Sequence, residues 1–131
     1  MALIGKYMNE AKEWSYAFFR IAFGVLFACH GAQKLGLIGT GGMATGLMLV
    51  VGIGEMLIGL GLLFGVLTRV AAAGGIVIMI GALVKAHFPK SLIPIQSGEL
   101  AWLYLIAFIF ILTYGAGKAS LEKLVLKKEL V

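Results

Sequence analysis

The chain has 131 residues, 61% of them hydrophobic and 13% charged, with 19 glycines, 2 prolines and a mean hydropathy of +1.03. Soluble domains carry about 45–50% apolar and about 25% charged residues, so this balance excludes a soluble enzyme and a disordered tail and predicts an integral membrane protein. The single cysteine, Cys29, excludes an internal disulfide and a CxxC pair, and the net charge of +5 comes from cations flanking apolar segments, which excludes nucleic acid as a partner and points to the lipid bilayer.

In chain order, Leu3, Ile4, Tyr7, Met8 and Ala11 recur at helical spacing among Lys6, Asn9, Glu10 and Glu13, an amphipathic helix suited to lie along headgroups. A spanning helix needs about 20 apolar residues, and the first such run covers 16–35. Leu26-Phe27-Ala28 before Cys29 loosely resembles a lipoprotein cleavage site, but bulky Phe27 and the spans that follow argue for an uncleaved helix. Gly39, Gly41 and Gly42 predict a flexible loop, followed by a span over 43–66 whose only charge is Glu55. A third span covers 69–88 and stops at Pro89, and a loop bracketed by Pro89 and Pro94 leads to a fourth over 99–116. Ser120 then caps a second amphipathic stretch carrying Leu121, Leu124 and Val125.

The expected fold is therefore all-α, with residues 1–131 forming one membrane domain: a compact four-helix bundle with short amphipathic terminal helices. Cations favour the cytoplasmic side. Lys6, Lys12, Arg20, Arg69, Lys118, Lys123, Lys127 and Lys128 fall on one side and Lys34, Lys85 and Lys90 on the other, which places both termini in the cytoplasm. Trp14, Tyr16, Trp102 and Tyr114 suit the interfacial belts. The pairs Gly42/Gly46 and Gly61/Gly65 match the GxxxG spacing of close helix contact, read first as intramolecular packing and second as a homo-oligomer through glycine faces.

Ionisable groups inside a membrane mark functional sites unless they reach water or each other. At 1.5 Å rise per residue, Arg20 lies at ~6 Å from the inner end of its span, within snorkelling reach of headgroups. Glu55 lies at ~16 Å, His30 at ~21 Å, Lys85 and Glu99 at ~23 Å, and Gln33, Lys34 and His87 at ~26 Å. One midplane anion beneath a polar layer drawn from all four helices predicts an outward-facing pocket. His30, Gln33 and Lys34 share a helix face, and Glu55 is expected either to pair with His30 or to act chemically. Haem held by His30 and His87 fits poorly at unequal depths, and no tight ligand spacing supports a metal at His30, Glu55 and Glu99, so neither is expected.

Three motifs in order resemble the DoxX family. Arg20 through "GVLFACHGAQKL" is similar to its Arg…Gly…His-Gly-x-x-Lys pattern, and "GIGEMLIGLGLLFGVLTRVAAAGG" to its Glu-x-x-x-Gly…Gly-x-x-Thr-Arg signature. "LTYGAGKASLEKL" resembles its Gly-x-Gly-x-x-Ser-Leu tail, and the likeness covers about residues 16–124. The resemblance implies a four-helix protein of the bacterial or archaeal inner membrane, related to the small subunit of thiosulfate:quinone oxidoreductase. It carries over Arg20, His30, Gly31, Lys34, Glu55, Thr68 and Arg69, with Arg20, Gly31, Thr68 and Arg69 as structural or anchoring positions. The resulting expectation is a quinone-linked or redox-associated subunit that works with a protein partner. Glu55 and His30 would act chemically, while Gln33, Lys34, Lys85, His87 and Glu99 would line the ligand site. Alternatives are a non-catalytic adaptor or assembly factor and a small-molecule transporter, the last without an inverted repeat or broken helix in its favour.

Overall fold

A computed structural model of the chain describes residues 2–87 and 98–127. The described residues are helical, without a named strand: α1 Ala2–Lys34, α2 Leu47–Phe64, α3 Thr68–Ala82, α4 Glu99–Tyr114 and a short α5 Leu121–Leu126. A π-helical turn, Leu83–His87, continues α3. Pro89, Lys90, Pro94 and Lys128 lie outside the described residues. Helices α1, α2 and Thr68–Lys85 are long and apolar enough to cross a membrane, and α4 is a shorter apolar helix of 16 residues.

Three boundaries differ from the sequence reading. The amphipathic amino-terminal stretch is not a separate helix lying across the end of the first span, because α1 runs unbroken for 33 residues. No proline interrupts it, and at 1.5 Å per residue it is about 50 Å long, well beyond a hydrocarbon core of about 30 Å. Helix α2 begins at Leu47 rather than near Met43, because Gly42 and Gly46 take positive φ of 70° and 63° and hold the chain out of helix. Helix α4 stops at Tyr114, where Gly115 adopts φ 92°.

Helix α1 packs chiefly on α2, α2 on α3 and α3 on α4, with α1 and α4 meeting more sparsely through their backbones. The α1–α2 contact is antiparallel and glycine-lined. A Cβ on Gly24 would stand 2.6 Å from Leu63 N, and one on Gly31 would stand 2.5 Å from Met56 N. Gly52 and Gly59 meet Lys34 and Ala28 in the same way. These glycines lie seven residues apart on each helix, so their close approach is spent inside the chain. The GxxxG pairs anticipated from sequence do not form helix faces: Gly42 and Gly46 lie in the loop, and Gly65 is the left-handed cap of α2.

Aromatic rings fill the wider α1–α4 seam. Tyr16 stacks on Tyr114 at 3.8 Å, Phe19 meets Phe110 edge-on, Phe27 meets Phe108 at 4.8 Å, and His30 meets Tyr104 edge-on at 5.6 Å. Leu62, Phe108 and Ile111 are fully enclosed at the centre. Leu57, Val77, Ile106 and Ile109 point outward instead, as helix faces that meet lipid must.

Candidate functional site

The chemistry-bearing residues separate into two clusters at opposite ends of the helices. At one end, Arg20 is completely buried rather than reaching headgroups, which corrects the snorkelling expectation. Its Nε donates to Leu62 O at 2.8 Å, its Nη1 to Ala116 O and to Lys118 O at 2.9 Å, and its Nη2 to Ala119 O at 2.8 Å. Helix ends leave carbonyls without partners, and Arg20 supplies donors to the last turn of α2 and to the α4–α5 loop together.

Arg69 does the same for α4, donating from Nε to Leu112 O at 3.1 Å and from Nη2 to Tyr114 O at 3.4 Å. Ser120 closes the cluster. Its Oγ donates to Gly65 O at 2.6 Å and accepts Lys123 N at 3.3 Å, so it caps α5 while holding the α2–α3 turn. Gly65 permits this contact, since a Cβ there would lie 2.8 Å from Ser120 Cα. Thr68, at the start of α3, is fully buried, its Oγ1 without a hydrogen-bond partner among the described residues. This end also carries a cleft of about 840 Å³, lined by Glu13 and Trp14 of α1, the end of α2, the α4–α5 loop and α5. Its Lys118 is occupied by Glu13 at 3.5 Å and by the Trp14 ring at 5.2 Å. The Glu13–Lys118 pair places the two terminal segments at the same end.

At the opposite end, Lys34 Nζ donates to Glu55 Oε2 at 2.8 Å, with Glu55 almost wholly buried and the Lys34 side chain 24% exposed. Glu55 therefore pairs with Lys34 and not with His30. Depth counting separated Lys34 and Glu55 by ~10 Å because it tracked backbone positions. Side chains lean toward the amino end of their own helix, so on antiparallel α1 and α2 these two lean toward each other. Gly52 leaves room for the lysine stem, whose Cβ lies 2.7 Å from where a Cβ on Gly52 would stand.

The pair opens onto a pocket of about 270 Å³ that also takes in His30, Phe27, Met79, Glu99 and Tyr104, so all four long helices contribute. His30 is half-buried, with its ring against Tyr104 and no hydrogen bond to any described residue. Glu99 is exposed at the mouth. Gln33 and Lys85 are exposed and do not line the pocket, and the side chain of His87 lies outside the described residues. Phe27, Met79 and Tyr104 are among the lining residues that sequence reasoning missed. For Phe27 a signal was present: Tyr16, Phe19, Phe23, Phe27 and His30 recur three and four apart and mark one face of α1. Although His30, Glu55 and Glu99 share the pocket, no three His, Cys, Asp or Glu side chains among the described residues are placed to hold a metal ion.

Long apolar helices, clasped at one end by the buried Arg20 and enclosing a polar pocket at the other, define a multi-pass helical membrane protein. The family model described as DoxX matches residues 15–88, more than half of the chain, and the protein belongs to the DoxX family. The matched stretch contains Arg20, His30, Gly31, Lys34, Glu55, Thr68 and Arg69. Neither a curated protein nor a solved structure matches the chain.

Proposed function

We propose that this DoxX protein is a quinone-linked or redox-associated subunit of the prokaryotic cytoplasmic membrane, with both termini cytoplasmic. Its pocket receives the polar headgroup of a membrane quinone. The observation that carries this reading is the Lys34–Glu55 pair, set at the wall of an open, aromatic-lined pocket beside the imidazole of His30, which has no hydrogen bond among the described residues. Ligand sites are apolar concavities with a few convergent polar groups, commonly of about 300–1,000 Å³, so this pocket suits a headgroup and leaves an isoprenoid tail outside.

The donor set fits a carbonyl oxygen. The Lys34 ammonium has three N–H donors and spends one on Glu55, and His30 supplies another from α1. A quinone, when bound, supplies two-electron acceptor chemistry, with the electrons drawn from a protein partner. In this reading Glu55, whose Oε2 accepts from Lys34, takes up and passes on the accompanying proton at its other carboxylate oxygen. The chain has no cysteine pair with which to exchange thiols alone.

Mass spectrometry of a solvent extract from protein purified in mild detergent tests the reading. Stoichiometric quinone, reduced in H30A and E55Q variants that remain folded, supports it. Phospholipid alone from folded protein refutes it. A second reading, a non-catalytic adaptor, draws on the same ion pair: Lys34–Glu55 would be internal glue, and E55Q would lower stability without releasing a ligand.

A further inference from the structure

We infer that Tyr104 is a ligand-binding residue of the pocket, donating its phenolic hydrogen bond to an oxygen of the headgroup from α4, beside His30. The inference rests on the reading of the pocket as a headgroup site and adds a residue from α4. Tyr104 is 3% exposed. Its ring is held on all sides: edge-on to Phe23 at 5.6 Å, tilted against Phe27 at 5.3 Å, stacked on Phe108 at 6.0 Å and edge-on to His30 at 5.6 Å.

A phenylalanine would make every one of those contacts, so the hydroxyl is surplus to packing. No hydrogen bond reaches that hydroxyl among the described residues, although Tyr104 lines the pocket. Buried tyrosines nearly always place their hydroxyl on a partner. A donor held rigidly at a pocket wall, with no acceptor among the described residues, is arranged for a ligand acceptor.

The rest of the wall narrows the ligand class. Phe27 and the Tyr104 ring offer flat aromatic faces, and Met79 supplies a polarisable thioether. Donors reach the space from α1 and from α4, with the anionic Glu55 already neutralised by Lys34. That combination suits a planar, uncharged ring bearing carbonyl oxygens. It suits neither a phosphate, which would want free cations, nor a bare acyl chain, which would leave His30 and Tyr104 unpaired.

The test compares wild type, Y104F and Y7F, the last altering an exposed tyrosine remote from the pocket. Each is reconstituted in nanodiscs and titrated with decylubiquinone, and the infrared carbonyl band of the bound probe is recorded. Loss of one hydrogen bond predicts about tenfold weaker binding to Y104F, with the carbonyl band moved toward its position in free probe. Y7F should match wild type, and the melting temperature of Y104F should stay near that of wild type. If Y104F binds as tightly as wild type with an unshifted band, Tyr104 is a packing residue and the headgroup reading stands without it. If wild type binds no decylubiquinone, both readings fall together. Should Y104F lose stability as well, the band of whatever probe remains bound decides the matter.

Discussion

Replacing Arg20 with methionine removes four hydrogen bonds while keeping a long apolar stem, and the structure sets the size of the effect. Of the carbonyls that lose a donor, those of Lys118 and Ala119 belong to exposed residues, and water can replace the guanidinium there. Those of Leu62 and Ala116 belong to residues with no exposure, and the Leu62 carbonyl loses its side-chain donor out of reach of water. A buried acceptor that loses its donor costs about 1–3 kcal/mol, offset in part because no charge need be buried in the variant. A net loss of about 2 kcal/mol lowers the melting temperature of a chain this size by roughly 8 °C. R20K should recover little of it, because one ammonium cannot span from the last turn of α2 to the α4–α5 loop as a planar guanidinium does. Thermal unfolding in detergent gives the first readout, and trypsin cleavage at Lys118, Lys123 and Lys127 gives the second. A melting temperature within about 2 °C of wild type, with unchanged cleavage, would show that Arg20 does not hold the two segments together.

Three further outcomes follow from the same geometry. K34M strands the Glu55 carboxylate and should cost about 3 kcal/mol, while the double variant K34M/E55L recovers most of it; equal stability of K34M and wild type would show the pair to be energetically idle. G31A forces a Cβ against the Met56 backbone and should cost about 1–3 kcal/mol, whereas G81A, where a Cβ meets nothing, should be neutral or slightly stabilising by calorimetry. S120A removes both the α5 cap and the bond to Gly65 O, and a loss of about 1–2 kcal/mol with faster proteolysis beyond residue 120 is the expected result; no change in either would remove Ser120 from the clasp.

The four apolar helices were legible because lipid imposes run length and because Glu55 is the lone charge of its segment. The role of Arg20 was not, since its acceptors lie 42 to 99 residues away and are backbone atoms, which carry no residue signature. The glycine reading failed for a local reason. GxxxG spacing drew attention to Gly42, Gly46 and Gly65, which are non-helical, while the working contacts come from Gly24, Gly31, Gly52 and Gly59 at seven-residue spacing. Depth counting brought His30, Lys34, Glu55 and Glu99 toward one layer but assigned the wrong partner to Glu55, because it ignored which way side chains lean. Tyr104 escaped notice because it reads as an ordinary apolar-helix aromatic until its neighbours are known.

The central claim is that the space among His30, Lys34, Glu55 and Tyr104 holds a quinone headgroup. Photolabelling with an azido-quinone in native membranes, followed by peptide mapping, tests it most directly. Adducts concentrated on the segments carrying His30 and Tyr104, and suppressed by excess unlabelled quinone, are the predicted result. Adducts spread over lipid-facing residues such as Leu57, Val77 and Ile106, insensitive to competitor, would contradict it.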